Sequence, residues 1–300
     1  MSRHYLHLLA VTVLVACISV AISAQQDSMD IEGLRFAAEA QGNALAQTTL
    51  GFMYANGQGV LQDYAEAARL LQLAADQGYA PAQTTLGFMY DNGEGVPEDD
   101  VEAVRLYQLA ADQGYALAQT NLGFMYADGE GITENDVEAV RLYQLAADQG
   151  YAPAQTNLGS MYADGEGITE NDVEAVRLYQ LAANQGNALA QNNLGLMYAD
   201  GEGVPQDDAE AARLLRLASD QGNALAQNNL GFMYADGESI PENDVEAVRL
   251  FQLAADQGNA VAQNNLGLMC IMPTVEASQR MTWKPSACIS WRRTRGMPPR

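Results

Sequence analysis

Apolar positions between residues 43 and 269 recur on a fixed 36-residue cycle. In one segment of each cycle, such as Ala116 to Tyr126, the apolar residues Ala118, Leu122, Met125 and Tyr126 fall at helical spacing. A polar, glycine-rich stretch follows, Asp128-Gly129-Glu130-Gly131, and then a second helical stripe of Ala139, Leu142, Tyr143 and Ala146. The second stripe has a start signal: Asp99 or Asn135 as N-cap, with Glu102 or Glu138 three residues on, at capping-box spacing. It also has a stop signal, Gly150, at the position after the helix where positive φ suits glycine. The pattern therefore predicts two helices per cycle. Gly123 lies inside the first helix, where glycine costs about 1 kcal/mol of propensity, so we expect it to admit a closely packed neighbouring helix.

The cycle is written out almost unchanged. Leu-Gly returns at Gly51, Gly87, Gly123, Gly159, Gly195, Gly231 and Gly267, and Gln-Gly closes units at Gly78, Gly114, Gly150, Gly186, Gly222 and Gly258. Six full units then span 43–78, 79–114, 115–150, 151–186, 187–222 and 223–258. Residues 259–269 read as the first helix of a truncated seventh unit, and residues 25–42 as a degenerate leading half-repeat. A lone helix pair cannot bury its apolar stripes, but stacked pairs can. The expected fold is all-α, an α-solenoid of 36-residue helix-turn-helix repeats.

Charge narrows the functional classes. The chain carries 38 acidic and 15 basic residues, a net −23. Such a surface is a poor match for nucleic acid, which needs Lys/Arg stripes. Histidine occurs only at His4 and His7, and cysteine only at Cys17, Cys270 and Cys288, so the repeats hold no material for a zinc site or a Cys/His or Ser/His catalytic pair. The charge is also unevenly placed. Residues 25–269 contain 37 acids and 8 bases, a net −29.

Both ends depart from the cycle. Arg3 precedes an uncharged apolar run, Leu6 to Ala24, followed by polar Gln25 and Gln26, which reads as a secretory signal over residues 1–24. Two other readings stay open: a lipoprotein signal, because Leu14-Val15-Ala16-Cys17 is similar to a lipobox, and an uncleaved membrane anchor. All three export the remainder. After Met269 the repeat vanishes, and residues 270–300 hold six of the basic residues and both tryptophans. In a shifted frame, Met272-Pro273, Met281-Thr282, Trp283-Lys284, Trp291-Arg292 and Met297-Pro298 encode Ala, Asp, Glu, Ala and Ala. Their spacings are those of Ala127, Asp136, Glu138, Ala146 and Ala152. The tail is thus expected to be a frameshifted, disordered continuation of the repeat, which leaves open a decaying gene copy with no selected function.

Three columns of residues carry what chemistry the repeats offer. The Asp-Gly-Glu-Gly loops lack the alternating ligands and terminal Glu of an EF-hand, and acid pairs such as Asp207 and Asp208 sit at an exposed helix start. No catalytic, cofactor-binding or metal-binding residue is expected. The column after Leu-Gly reads Phe52, Phe88, Phe124, Ser160, Leu196, Phe232 and Leu268. It is either core or an apolar ladder for a peptide, with Phe52, Phe88, Phe124 and Phe232 as candidate partner-binding residues. Beside it stand Asn121, Asn157, Asn193 and Asn229, of which the first three are further candidates, able to bond a peptide backbone or to satisfy local structure. An arginine recurs at Arg69, Arg105, Arg141, Arg177, Arg213 and Arg249, three residues after a glutamate, so i,i+3 pairing is expected.

The motif Ala118-Gln119-x-Asn121-Leu122-Gly123-x-Met125-Tyr126-x-x-Gly129-x-Gly131-Ile132, with Asp136-x-Glu138-Ala139 and Tyr143-x-x-Ala146-Ala147-x-x-Gly150, resembles the Sel-one-like repeat, a relative of the tetratricopeptide repeat. The resemblance covers residues 43–269. It implies a right-handed superhelix whose first helices line a concave face, and an adaptor or scaffold role, often in bacterial envelopes or secretion. Leu106, Leu142 and Leu178 stand where the family usually has an aromatic, and the cysteine pairs of some secreted relatives are missing. Some of those relatives are described as β-lactamase-like, so a secreted hydrolase or glycan-processing enzyme is the alternative. The expectation is an exported, periplasmic, envelope-associated or secreted scaffold with a protein or peptide partner, no cofactor and no nucleic acid.

Overall fold

The computed structural model describes residues 31–237 and 240–271. The expected signal with Cys17, the tail from Met272 onward, and the Ser239 that replaces a loop glycine lie outside the described residues. Within them every regular element is a helix, and successive pairs pack in tandem as an all-α solenoid. Two compact units divide between Ala146 and Ala147.

The N-terminal unit opens on Ile31–Arg35, which runs on as a π-helical turn, Phe36–Ala40. Its first helices are Ala44–Asn56, Ala80–Asn92 and Ala116–Asp128; its second helices are Tyr64–Asp76 and Asp100–Ala111, with Asp136–Asp148 reaching the boundary. The C-terminal unit continues with first helices Ala152–Asp164, Ala188–Asp200, Ala224–Asp236 and Ala260–Ile271, and second helices Asp172–Asn184, Asp208–Asp220 and Asp244–Asp256.

Local chemistry sets these limits. The Asp99 carboxylate accepts from the Glu102 N–H at 3.0 Å, and Asn135 does the same for Glu138 at 3.2 Å. The capping box closes on that side only. Glu102 turns instead to Arg105, 2.6 Å away, because the Asp99 N–H is already given to the Tyr90 carbonyl at 2.9 Å. One bond thus satisfies both an orphan carbonyl at the end of the first helix and the N–H entering the second. The first helix outruns its expected end at Tyr126 and stops at Asp128, where Gly129 adopts φ +71°. Gly150, at φ +83°, ends the second helix as expected.

Burial follows the two stripes. In the N-terminal unit, Ala103, Tyr107 and Ala110 of one second helix pack with Ala118, Leu122 and Met125 of the next first helix and Leu142 beyond it. In the C-terminal unit, Ala175, Tyr179 and Ala182 meet Ala190, Leu194, Met197 and Leu214 in the same arrangement. The interior glycine has the role its cost suggested: a Cβ on Gly159 would lie 2.7 Å from the Tyr179 ring. The second loop glycine is tighter still. A Cβ on Gly131, at φ +67°, would lie 2.4 Å from the Asp100 carbonyl oxygen of the preceding repeat.

Candidate interaction surface

The first helices are buried on almost every side. In Ala116–Asp128 the residues Leu117 to Thr120, Leu122, Gly123 and Met125 are buried. Asn121, Phe124 and Asp128 remain on one outward strip, spaced i, i+3 and i+7. The two candidate columns therefore share a face. Exposure along the phenylalanine column varies. Phe52 is buried at 6%, and Phe88, Phe124 and Ser160 are half-buried. In the C-terminal unit Leu196 is 37% exposed, Phe232 58% and Leu268 56%. Two turns earlier on the last two of these helices, Leu225 and Val261 are exposed too. Between these apolar residues run Asn193, Asn229 and Asn265, all half-buried.

The asparagines have partners of their own. The Asn121 amide bonds the Tyr107 hydroxyl, and the Asn193 amide bonds that of Tyr179, which also meets Ser160 Oγ at 3.0 Å. Burial holds the Tyr107 hydroxyl protonated well above its usual range, and the Asp91 charge adds to this against the Asn121 bond. Where the preceding second helix has Leu215 or Phe251 in place of tyrosine, no hydroxyl is on offer. Asn229 then donates to Asn192, and Asn265 to Asn228, both at 3.0 Å. Asn192 and Asn228 donate onward to Asn193 and Asn229, giving a directional chain of amides along the strip. Asn157 is half-buried on the same strip.

A second polar ladder escaped the sequence reading. Each buried glutamine of the Ala-Gln pair donates to a carbonyl at the end of the preceding second helix, as Gln191 does to Ala183 at 3.3 Å. Gln191 accepts in turn from the glutamine that closes its own repeat, Gln221, at 2.7 Å. The same bonds recur at Gln83 with Ala75 and Gln113. The signal was visible as Ala-Gln and Gln-Gly in fixed register, but only the fold shows that the two amides meet.

Electrostatics on the second helices are local. The expected i,i+3 pairs form from Arg69–Glu66 through Arg249–Glu246, each at 2.6 Å and each half open to solvent. The Arg213 hydrogen bond holds Glu210 below its usual range, and Arg249 does the same for Glu246. Among the described residues no group of three or more His, Cys, Asp or Glu converges on a metal position. No described helix is long and apolar enough to cross a membrane.

Six consecutive stretches, 44–79, 80–115, 116–151, 152–187, 188–223 and 224–259, match the Sel1 repeat. The chain belongs to the Sel1 repeat family. Their limits fall one residue later than those read from the periodicity. Among solved structures, the chain is similar to c5321, a protective antigen present in uropathogenic Escherichia coli strains displaying an SLR fold. The two share 38% identity and a TM-score of 0.73 over 89% of this chain, which spans 56% of that protein. It is also similar to a Sel1 repeat protein from Oxalobacter formigenes, with 29% identity and a TM-score of 0.69 over 83% of this chain and 96% of the other. No curated protein matches the chain. Sel1 repeat proteins generally act as protein-interaction scaffolds, typically without catalysis.

Proposed function

We propose that this Sel1 repeat protein is a non-enzymatic adaptor, exported across a membrane, that holds a protein or peptide partner along the outward strip of its first helices. The observation that carries the reading is the exposure of Leu196, Phe232 and Leu268, with Leu225 and Val261, on the first helices. Large apolar side chains grouped on one face favour a partner surface. The net −29 of residues 25–269 favours a partner that is basic or neutral. Export is supported by Arg3 and the uncharged run from Leu6 to Ala24.

Site-specific photo-crosslinking in the native envelope tests the surface. A crosslinker at position 232 or 268 should give a discrete adduct, and one at Leu253, on a second helix, should not. Equal adducts at all three positions would remove the strip from the proposal. Turnover of nitrocefin or peptidoglycan by the purified chain, lost on changing a single carboxylate, would favour the hydrolase reading instead.

A further inference from the structure

The fifth second helix, Asp208–Asp220, differs from four of its five counterparts at two positions and from all five at a third, and the three share one face; Tyr64–Asp76 also has alanine, Ala65 and Ala68, at the first two. Ala209 and Ala212 stand where four other second helices carry valine: Val101 and Val104, Val137 and Val140, Val173 and Val176, Val245 and Val248. Arg216 stands where the other five complete units carry glutamine, Gln72, Gln108, Gln144, Gln180 and Gln252. The valines at the Ala209 position are exposed, so alanine there lowers the surface rather than hollowing the core. The structure shows an open surface cavity of about 440 Å³ beside Ala209 and Ala212, lined also by Arg216, Tyr234, Ile240 and Pro241 and by the charged Arg213 and Glu242.

Arg216 behaves differently from the glutamines it replaces. Gln72, Gln108 and Gln252 each donate to the aspartate four residues on, at 2.7 Å. Arg216 leaves the equivalent Asp220. It crosses to the next repeat, donates to the Tyr234 hydroxyl and sits 6.0 Å from the centre of that ring. Arg213 is held in a two-point bond by Glu210. Glu246 lies near Arg216 but is bonded to Arg249. Among the described residues, Arg216 has no carboxylate within ion-pair distance, in a chain with a large excess of carboxylates. A guanidinium has five N–H donors in a planar fork; Tyr234 takes one and fixes the plane. Arg216 lines the cavity together with the apolar Ala209, Ala212, Ile240 and Pro241. The acid at its rim, Glu242, is exposed and screened by water.

We propose that this cavity binds an aliphatic carboxylate, with the carboxylate on Arg216 and the apolar chain against Ala209, Ala212, Ile240 and Pro241. The chemistry is shared by a free short-chain acid and by the C-terminus of a peptide ending in an aliphatic residue. The site is separate from the first-helix strip and stands whether or not a partner binds there.

The test is NMR titration of the full chain with hexanoate, its neutral isostere hexanamide, and the tripeptide Ala-Ala-Ile as free acid and as amide. One of the two acids should shift the amides of Ala209, Ala212 and Ile240 and bind at least tenfold tighter than its own amide. Whichever acid binds tighter identifies the source. Arg216→Gln restores the residue found in five other repeats, so folding is preserved, and it should remove that preference. Ala209→Val with Ala212→Val should fill the cavity and weaken acid and amide together. Glu242→Gln should tighten the acid alone. Equal binding of acid and amide, an unchanged preference in Arg216→Gln, or no shift with any of the four probes would overturn the proposal.

Discussion

Asn192→Thr puts into the fifth repeat the residue that Thr120 and Thr156 supply elsewhere. Asn192 is 2% exposed, accepts from Asn229 at 3.0 Å and donates to Asn193 at 3.1 Å. A threonine there satisfies itself by bonding back one turn, as Thr120 does to Ala116 at 2.8 Å. The substitution therefore loses two side-chain bonds and gains one local one. At about 1 kcal/mol per net hydrogen bond, with Asn229 only half-buried, the cost is about 1–2 kcal/mol. Asn229 needs a partner because Leu215 has no hydroxyl, whereas Asn193 uses that of Tyr179. Leu215→Tyr should supply one, with its ring over Gly195 as Tyr179 lies over Gly159. Crowding from the larger ring enters the Leu215→Tyr single variant and cancels in a double-mutant cycle. Urea unfolding of the full chain, read for midpoint and slope in all four proteins, should give a favourable coupling of about 1 kcal/mol. A coupling indistinguishable from zero, within the additivity scatter of about 0.3–0.5 kcal/mol, would refute the exchange of tyrosine for asparagine as partner.

Gly131→Ala should be the harsher change: it forces positive φ and a 2.4 Å approach to the Asp100 carbonyl, costing about 2 kcal/mol or more by thermal unfolding. Gly114→Ala, with nothing within 4 Å of its Cβ, should cost only the φ penalty, about 1 kcal/mol. Glu210 and Glu246 have depressed folded-state values, so their contribution is present above the ordinary 4.5 and is lost as pH falls through the lower folded value. The double variant Glu210→Gln, Glu246→Gln should show a shallower acid limb in a Tm-against-pH profile, by a small amount because the arginines of both pairs are more than half exposed to solvent. Phe232→Asp with Leu268→Asp should weaken partner crosslinking while circular dichroism stays unchanged.

The helix pairs, caps and closing glycines were legible because each is a local signal, repeated at least six times in one register. The capping box was half right: spacing alone does not show that the Tyr90 carbonyl already holds the Asp99 N–H, freeing Glu102 for Arg105. What the periodicity hid was the contact between columns. Tyr107 with Asn121 and Asn192 with Asn229 are 14 and 37 residues apart, so neither falls on one helix face. Yet the sequence records their dependence. Tyr107, Tyr143 and Tyr179 go with Thr84, Thr120 and Thr156 in the same unit. Leucine or phenylalanine at 215 or 251 goes with Asn192 or Asn228 in the same unit. In a solenoid each repeat answers only to its neighbours. A departure from the cycle is then readable in one of two ways. If a second departure beside it restores the lost bond, as Asn192 does for Leu215, the pair is structural. If it leaves a charge without a carboxylate beside an open cavity, as Arg216 does, the complement we propose is a ligand from outside the chain.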